Sequence, residues 1–507
     1  MPTDRSSRPR SGPVAVIDIG SNSGRVVVLA LDRAGHLRLL AGSRAPLRLV
    51  HDVDETRTLS EASMARTMEA VRDFHAIATG AGARQIAAIA TAAVRDAVNG
   101  HVLMDRIRRE LGLRVEIIGG REEARYGFAG AVRGLPVSGG LLFDLGGGSM
   151  QVSAFRNRRL GAAISLPLGA LRLSEQFLTS DPPKHREIRR LRDHVWKLLK
   201  RSGITRLDRA GRLVGTGGTL RNLAKIDRSA HRYPITQLHG YVLSADGLHE
   251  AVRRLASTRE RRRDEIPGLS AERADSIVGG AIAVETLADY VGAPQVVVSG
   301  QGVREGVALR LMNLGIAAPP DVKEASLASL TMRFDGWQPE AARRRRDVAA
   351  ALLRALDPRA APRLVEALDH GARLLDIGRS LDFVDRHQHV ADMLLSTELN
   401  GFTHEEIALV SGLVRRAGDR HADPAALSPL IRHDDRAGLD RGAVLLALAD
   451  EIEQRVPRGQ PIVVSCRVSR DVKVSVPRLP SWRSRDLGQR FERAFGKPLV
   501  IQPGARA

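Results

Sequence analysis

The chain has 507 residues, 43% of them hydrophobic, and a formal net charge of +20. This length exceeds what one hydrophobic core supports and predicts three or four domains. The one cysteine, Cys466, excludes an intramolecular disulfide and fits a reducing compartment. We find no secretory signal and no apolar run near the roughly 18 residues of a membrane span, so we expect a cytoplasmic protein without a membrane partner.

The positive charge has two explanations. Arginine carries nearly all of it, since only seven of the 78 basic residues are lysine, and such a skew is often a codon-composition habit. The other explanation is a polyanionic partner, which a surplus of this size would attract. Aromatic residues make up only 3%, so stacking platforms for single strands are scarce and we expect no specific nucleic-acid partner.

The predicted elements start with a strand, a tight turn and a second strand at residues 14–31, after a basic segment, 1–13, that we expect to be disordered. β-Branched residues on both sides of a Gly-Ser-Asn-Ser turn favour a hairpin there. The pattern then predicts a helix at 59–80, a strand at 85–91, a helix at 97–110 and a strand at 114–120.

A second hairpin is predicted at residues 139–155, and it repeats the first. Asp18 corresponds to Asp144, Gly20 to Gly146, Ser23 to Ser149 and Arg25 to Gln151. After it we predict a strand near 159–166, helices near 170–201, a strand at 212–218 leading into a helix, a helix near 272–291, a strand at 295–302 and a helix to about 312. The repeat predicts two similar α/β domains, 14–135 and 136–315, with a cleft between them.

Beyond residue 315 the pattern changes. Residues 317–326, AAPPDVKEAS, indicate a linker. Residues 325–455 are rich in alanine and leucine with a helical period, and they predict a mostly helical domain. Residues 456–507 predict a small α+β tail, with a β-hairpin at 461–476 and a helix near 484–495.

Three glycine-rich loops carry the chemical signal: residues 20–23, 146–149 and 215–219. Glycine lets an anion approach the backbone closely, and successive N–H groups can form a nest for phosphate oxygens. One such loop is a weak signal, since most glycine runs are turns, but two matching hairpins and a third loop are stronger. The predicted phosphate-binding residues of these loops are Gly20, Ser21, Asn22, Ser23, Gly146, Gly147, Gly148, Ser149, Gly217, Gly218 and Thr219.

The first two loops follow strands that end in an aspartate, Asp18 in one and Asp144 in the other. A carboxylate beside a phosphate nest repels the phosphate unless a cation lies between them. The two aspartates therefore predict a Mg²⁺ site, because Mg²⁺ takes one or two carboxylates and otherwise binds water and phosphate oxygens.

The hairpins and the third loop resemble the actin, sugar-kinase and heat-shock-chaperone ATPase superfamily, which implies two tandem actin-like (ribonuclease H-like) α/β domains. Further stretches resemble the exopolyphosphatase and guanosine pentaphosphate phosphohydrolase (Ppx/GppA) family: ATAAVRDAVNG (90–100), VEIIGGREEARYGFAGA (115–131), SLPLGALRL (165–173) and runs within 266–309. The likeness covers residues 14 to about 312. It implies that water attacks the terminal phosphoryl group of a phosphate chain and that orthophosphate is released.

The resemblance also implies roles for individual residues. Glu123, the second Glu of Glu-Glu-Ala-Arg, would be the base that takes a proton from the attacking water. Glu122 is the alternative base, and a surface glutamate that opens a helix is the structural alternative. Arg95 matches an arginine that holds phosphate, or else it forms a salt bridge at the start of a helix.

Several other residues fall on family positions. Asn22, Ser23 and Ser149 would donate to phosphate or orient water on the metal. Thr219 and Arg221 lie where the third loop of the superfamily contacts the phosphoryl tail or nucleotide, or they have a purely structural role. Scaffolding between strands is the alternative for three residues that match family positions: Asp275, Arg304 and Glu305.

Gln151 departs from the family pattern, which usually has a glutamate there that can help to hold metal. Glutamine keeps an oxygen but loses the charge. Weaker metal binding is one expectation, and a metal held by Asp18, Asp144 and Glu123 is the other. We therefore expect Gln151→Glu to lower the Mg²⁺ concentration needed for half-maximal activity.

The helical region resembles the His-Asp (HD) phosphohydrolase domain of long family members, whose metal site needs an adjacent His-Asp pair on a helix. Here Leu375 precedes Asp376, and the only His-Asp dipeptide, His433-Asp434, lies in a polar loop. We interpret this domain as HD-like without its own chemistry. It would extend a basic groove, guide a long chain or form a dimer contact.

The preferred function is a Mg²⁺-dependent exopolyphosphatase that acts on inorganic polyphosphate, as a homodimer. The alternatives are a guanosine pentaphosphate (pppGpp) phosphohydrolase, a kinase or chaperone-like ATPase of the same superfamily, and a polyphosphate-binding sensor without catalysis. No sequence feature separates the first two functions. The kinase reading does not account for Glu-Glu-Ala-Arg, and Gln151 is the only argument for the sensor.

Overall fold

The structure, a computed structural model, describes residues 12–419, 421–477, 479, 482 and 484–504. Residues 1–11, part of the segment predicted to be disordered, lie outside the described residues. The chain divides into two compact units. The first contains the described residues up to Arg232 together with Leu238–Ala325, and the second contains Tyr233–Gln237 and the described residues from Ser326 onward. No helix among the described residues is long and apolar enough to cross a membrane.

The first half of the first unit is built on a five-stranded mixed sheet. Its elements are β1 (Val14–Ile19), β2 (Ser23–Leu31), β3 (Leu37–Pro46), α1 (Leu49–Thr56), α2 (Glu61–Gly80), β4 (Gln85–Ala90), α3 (Ala92–Asp96), α4 (Gly100–Leu111), β5 (Val115–Ile117) and α5 (Gly120–Arg133). Strands β1, β2 and β3 form an antiparallel meander, whereas β4 runs parallel to β1 and β5 parallel to β4. The order across the sheet is β3-β2-β1-β4-β5.

The second half of this unit repeats the arrangement. Its elements are β6 (Gly139–Leu145), β7 (Met150–Arg156), β8 (Arg159–Leu166), α6 (Ala170–Phe177), α7 (His185–Arg201), β9 (Arg212–Gly217), α8 (Gly218–Ala230), β10 (Val242–Ser244), α9 (Ala245–Ser257), α10 (Ile277–Val291), β11 (Gln295–Val298) and α11 (Val303–Leu311). The sheet order is β10-β11-β9-β6-β7-β8, so β8-β7-β6-β9-β11 corresponds to the whole first sheet.

The strand registers match in the two halves as well. Asp18 lies opposite Arg25 in the first hairpin, and Asp144 lies opposite Gln151 in the second. The internal repeat and the two similar α/β halves predicted from the sequence are therefore confirmed.

Alternate residues of a strand point to opposite sides of the sheet, and strand β1 is buried on both sides. Ile17 and Ile19 pack into a core that includes Phe74 of α2. Val16, on the other face, packs into a core that includes Val307 of α11. Helix α11 of the second half thus covers the sheet of the first half and ties the two halves together.

The rest of the chain is mostly helical and ends in a small sheet. Its elements are α12 (Pro319–Thr331), α13 (Pro339–Leu356), α14 (Pro362–Leu374), α15 (Arg386–Ser396), α16 (His404–Gly418), α17 (Asp435–Arg455), β12 (Ser465–Val468), β13 (Val472–Pro477), α18 (Arg485–Phe495) and β14 (Leu499–Gly504). Helices α13, α14, α16 and α17 contribute Leu352, Leu368, Leu413 and Leu446 to one apolar core. The predicted helical region, terminal hairpin and terminal helix are confirmed.

The linker predicted at residues 317–326 is wrong, because most of this segment lies in α12. Proline suits the first turn of a helix, where its missing N–H would have no intrahelical partner. Asp321 places a favourable negative charge in the same turn. The sequence pattern also failed to predict β3, α1, α3, β10, α9 and β14, and the predicted strands at 114–120 and 295–302 are shorter.

Candidate active site

A cleft between the two halves of the first unit brings most of the predicted site residues together. Its empty volume is about 840 Å³, part of it open to solvent. The predicted residues that line it are Asp18, Gly20, Ser21, Asn22, Ser23, Glu123, Asp144, Gly146, Gly147, Gly148, Ser149, Gly217 and Gly218. Both hairpin turns, the first turn of α5 and the start of α8 therefore face one space.

The two hairpin turns of the repeat lie against each other at the cleft. A Cβ on Gly147 would lie 3.0 Å from Asn22 Cβ, and one on Gly148 would lie 3.2 Å from Ser21 Oγ. The Ser21 hydroxyl accepts the Ala93 N–H at 3.2 Å, which leaves its own proton for another acceptor. The small residues thus let two backbone turns and their hydroxyl groups surround the same space.

The third glycine loop closes against the second. Gly217 has φ +105°, a conformation that favours glycine, and a Cβ there would lie 2.3 Å from Leu145 O. A Cβ on Gly218 would lie 1.9 Å from Arg273 Nη2. The Arg273 guanidinium therefore packs directly on the first residue of α8.

Asp18 and Asp144 line the cleft at equivalent positions of the two hairpins. Removal from water raises the pKa of both carboxyl groups, and it raises that of Asp144 to about 6. The charge of Asp18 contributes to the raised pKa of Asp144, whereas Arg221 opposes it. Arg304 opposes the shift at both carboxyl groups. Two carboxyl groups in this situation gain from a nearby cation.

The donor set suits a cation that keeps part of its water shell. Among the described residues, no group of three or more His, Cys, Asp or Glu side chains is placed to hold a metal ion. A metal held by Asp18, Asp144 and Glu123 together, one expectation from the sequence, therefore lacks support. A pair of carboxylates beside open space fits Mg²⁺, which needs only one or two carboxylates from the protein.

Glu123 lies in the first turn of α5 and its side chain is 12% exposed. Its Oε2 is buried without a hydrogen-bond partner among the described residues, and Arg95 Nη1 lies 3.7 Å away. Burial, and then the charge of Asp144, raise the pKa of Glu123 to about 8, although Arg95 opposes the shift. Glu122 differs, because its Oε1 accepts the Tyr126 hydroxyl at 2.8 Å and it does not line the cleft.

Four arginines line the cleft: Arg25, Arg221, Arg273 and Arg304. The side chains of Arg25, Arg273 and Arg304 make no hydrogen bond or short ion pair with any described residue. Burial, and then neighbouring arginines beginning with Arg221, lower the pKa of Arg25 to about 8. Arg273 is buried, and Arg25 and Arg304 are half-buried. Cationic side chains that lack short contacts with the protein favour an anionic ligand.

The sequence indicated only some of these arginines as site residues. It named Arg221 and Arg304 at family positions, and Arg25 only as the repeat partner of Gln151. It missed Arg273, whose only signal was its place within the family-like stretch 266–309.

Besides Glu122 and Gln151, four residues of the first unit that the sequence singled out do not line the cleft. Arg95 Nη1 lies 3.7 Å from Glu123 Oε2 and donates to Ile118 O at 3.0 Å. Thr219 is 1% exposed, and its Oγ1 has no partner among the described residues. Asp275 pairs with Arg48 at 3.1 Å, and Glu305 Oε2 accepts the Gly302 N–H at 2.6 Å. The contacts of these last two residues are those of scaffolding.

Gln151 does not line the cleft, but it binds a residue that does. It is 2% exposed, and its Nε2 donates to Ser149 Oγ at 2.8 Å and to Ser165 Oγ at 3.3 Å. Ser149 itself lines the cleft. The amide therefore holds the hydroxyl of a predicted phosphate-binding residue.

The second unit contains a buried charge network around Asp376. Arg345 is 0% exposed and donates to both oxygens of Asp376, at 2.9 and 3.2 Å, and to Asp450 Oδ1 at 2.8 Å. Arg386 donates to the other Asp450 oxygen at 2.6 Å. Guanidinium groups thus neutralise these carboxylates, whereas Asp434 of the His-Asp dipeptide is exposed just before α17.

Two matched α/β halves, each opened by an Asp-x-Gly hairpin that faces a common cleft, define a protein of the actin-like ATPase class. Residues 28–314 match the model of the Ppx/GppA phosphatase family. Residues 322–458 match the model of Ppx/GppA phosphatase, domain III. The chain belongs to the Ppx/GppA phosphatase family, a family of hydrolases.

Similar proteins agree with this assignment. Exopolyphosphatase 1 of Mycobacterium tuberculosis is 31% identical over 330 residues, which cover 64% of this chain and 95% of that protein. Exopolyphosphatase 2 of the same organism is 32% identical over 59% of this chain and 98% of that one. The crystal structure of the Aquifex aeolicus family member is 28% identical, with a TM-score of 0.52, and covers 59% of this chain and 97% of that chain.

Proposed function

We propose that the protein is a Mg²⁺-dependent exopolyphosphatase. Water attacks the terminal phosphorus of inorganic polyphosphate, and the bond from that phosphorus to the bridging oxygen breaks. The products are orthophosphate and a chain one phosphate shorter. The observation that carries the proposal is the convergence of Glu123, two aspartates and three glycine loops on a cleft that four arginines line.

Glu123 would act as the general base. It is the carboxylate of the Glu-Glu pair that lines the cleft, and its Oε2 is buried without a hydrogen-bond partner among the described residues. A base with a pKa near the working pH combines the correct ionisation with a useful affinity for the proton. Burial and Asp144 give Glu123 such a pKa, about 8.

The glycine loops and arginines would bind the phosphates. Backbone N–H groups of the turns at residues 20–23 and 146–149 can donate to phosphate oxygens. Arg221 and Arg304 lower the pKa of Asp144, so both charges reach the position of the carboxylates. In phosphoryl transfer such positioning and charge stabilisation account for most of the catalysis.

Mg²⁺ would be held by Asp18 and Asp144. When bound, it would offset the charge of the phosphate oxygens and the two carboxylates. The two aspartates would keep the ion beside the glycine turns, while Ser149, held by Gln151, would donate its hydroxyl proton to phosphate.

The cleft lining favours a simple phosphate chain over guanosine pentaphosphate as substrate. None of the described residues that line the cleft is aromatic, and Leu145 and Val303 are the only large apolar ones among them. A guanine base would need a flat apolar or stacking surface. The pentaphosphate remains the alternative substrate that a direct comparison must test.

The reaction is tested by following the products of long-chain polyphosphate by ³¹P NMR. The proposal predicts orthophosphate from the first turnovers while the remaining chains shorten gradually. Early accumulation of fragments of intermediate length would contradict attack at the chain end.

Arg95→Gln is expected to displace the pH profile of kcat/KM to higher pH. The base must be ionised, so kcat/KM should rise as the pH increases through the pKa of Glu123, about 8. Arg95 opposes the raised pKa, so its removal raises that pKa further and moves the acid limb upward. The measurement is kcat/KM for phosphate release between pH 6 and 10.

Arg125→Gln is the matched control for this prediction. Arg125 is exposed and pairs with Glu122 at 3.3 Å, outside the cleft. Its acid limb should coincide with that of the unaltered protein. If Arg95→Gln also leaves the limb in place, Glu123 is not the group that limits activity at low pH.

Gln151→Glu is expected to lower the Mg²⁺ concentration for half-maximal activity several-fold. Residue 151 lies opposite Asp144 in the strand register, so a carboxylate there adds negative charge beside the predicted metal site. The rise in melting temperature on addition of Mg²⁺ gives a second readout that does not require turnover. Gln489→Glu, the same charge change at an exposed position of α18, serves as control. Identical Mg²⁺ titrations for all three proteins would refute the idea.

A further inference from the structure

Basic side chains continue outward from the cleft along two elements. Arg25 on β2 lies directly opposite Arg44 on β3, and such cross-strand neighbours share one face of the sheet. Helix α8 carries Arg221 at the cleft and Lys225 one turn later on the same face. Lys225 is therefore about 6 Å further along the helix axis than Arg221.

These cations lie near one another. Burial lowers the pKa of Lys225, and the charges of Arg221, Arg228, Arg44 and Arg25 lower it further. Residues of β2, β3 and α8 thus converge on a common basic surface. The charges that lower the pKa of Lys225 most all belong to arginines.

The protein supplies little negative charge to this surface. Arg44 pairs with Glu272, but its Nε is buried without a hydrogen-bond partner among the described residues. The Arg25 and Lys225 side chains make no hydrogen bond or short ion pair with any described residue. Like charges held together in this way favour a bound anion, because it relieves their repulsion.

We propose that Arg25, Arg44 and Lys225, here called the distal basic track, bind the phosphates of a linear polyphosphate chain that lie beyond its reacting end. The inference rests on the proposed function and deepens it, since it assigns residues that favour a long chain over a short one. It depends on the placement of these residues beside the cleft, and on the Arg25 and Lys225 side chains having no short hydrogen bond or ion pair with the described residues.

The order of the charges gives the track a direction. The charges of Arg304 and Arg25 lower the pKa of Asp18, and those of Arg221 and Arg304 lower the pKa of Asp144. Arg44 is the cross-strand neighbour of Arg25, and Lys225 lies one helical turn beyond Arg221. Neither Arg44 nor Lys225 lines the cleft. Arg25 would therefore contact phosphates near the reacting end, and Arg44 and Lys225 would contact phosphates further along the chain.

The test compares the binding of two probes, long-chain polyphosphate and tripolyphosphate, by titration calorimetry. It uses the full chain with Mg²⁺ in a Glu123→Gln background that slows turnover. Lys225→Gln combined with Arg44→Gln should weaken binding of the long chain roughly tenfold and of tripolyphosphate much less, because each lost charge removes a charge-assisted contact. The affinity for the long chain should also depend less steeply on salt.

Three further variants make the result specific. Lys225→Arg keeps the charge and should retain the affinity for the long chain. Lys200→Gln removes a charge from an exposed position of α7 and should leave both affinities unchanged. Arg25→Gln should weaken both probes. Melting curves show that each variant is folded.

An equal loss for both probes, or a loss no larger than that of Lys200→Gln, would overturn the distal basic track. That result would leave the proposed function intact if the unaltered protein releases phosphate from the long chain. If the unaltered protein releases none, the proposed function fails. The ratio of the affinities for long-chain polyphosphate and tripolyphosphate still shows whether the distal basic track binds the long chain.

Discussion

Glu123→Gln is expected to lower kcat for orthophosphate release from polyphosphate by a factor of roughly 10²–10⁴, the usual contribution of a positioned general base. Glutamine keeps the shape of the side chain but cannot take the proton of the attacking water. Substrate affinity should change much less, because the glycine loops and the arginines of the cleft remain. The measurement is steady-state phosphate release at saturating polyphosphate and Mg²⁺.

Glu122→Gln is the matched control, since Glu122 is the adjacent residue of the same helix and its carboxylate binds Tyr126 outside the cleft. This variant should keep most of the activity. A large loss in Glu122→Gln together with near-normal activity in Glu123→Gln would transfer the role of base to Glu122. Near-normal activity in both variants would exclude a glutamate base from this helix.

Arg345→Met is expected to lower the free energy of unfolding of the second unit by roughly 3–5 kcal/mol, the usual result of removing one partner from a buried ion pair. Arg345 is fully buried and holds Asp376 through two hydrogen bonds and Asp450 through one. Without it, two buried carboxylates lose a partner. Urea unfolding followed by circular dichroism measures the change.

Arg346→Met is the control for this prediction. Arg346 is the next residue of α13, but its side chain is 40% exposed and pairs with the partly exposed Asp369 at 2.7 Å. Exposed pairs contribute only about 0–1 kcal/mol, because water screens the charges. Equal losses in the free energy of unfolding for the two variants would show that burial does not increase the contribution of the Arg345 network to stability.

The charge network also accounts for the protonation of its members. Burial alone would raise the pKa of Asp450, but Arg345 and Arg386 outweigh it and hold the pKa below its ordinary value. Burial lowers the pKa of His387 to about 4, so this imidazole is neutral at physiological pH. The carboxylates are thus paired with guanidinium groups, an arrangement that leaves them little capacity to bind a metal.

The repeat and the aspartates and glycine turns of the cleft could be predicted from the sequence, because each depends on a short stretch of consecutive residues. Asp18 and Asp144 lie in hairpins whose residues can be aligned by eye, and each glycine turn adjoins its own strand. Glu123 came from a short motif. The segment at 317–326 was wrongly predicted to be a linker, because prolines are common both in linkers and in the first turn of a helix.

The parts that could not be predicted depend on contacts between distant residues. Arg273 reaches Gly218 from a segment more than 50 residues away, and its only signal in the sequence is its place within the family-like stretch 266–309. Arg345 finds its partners 31 and 105 residues later in the chain. Such pairings are set by the tertiary packing of helices, which periodicity alone does not specify.

The central claim is tested most directly by measuring orthophosphate release from long-chain polyphosphate and, in parallel, from guanosine pentaphosphate, each with Mg²⁺. We predict release from polyphosphate with the higher kcat/KM, in keeping with a cleft that is rich in arginine and has no aromatic residue among its described lining. Release from the nucleotide alone would contradict the proposed substrate. No release from either substrate across a wide range of Mg²⁺ concentrations would contradict the enzyme itself and leave a protein that only binds polyphosphate.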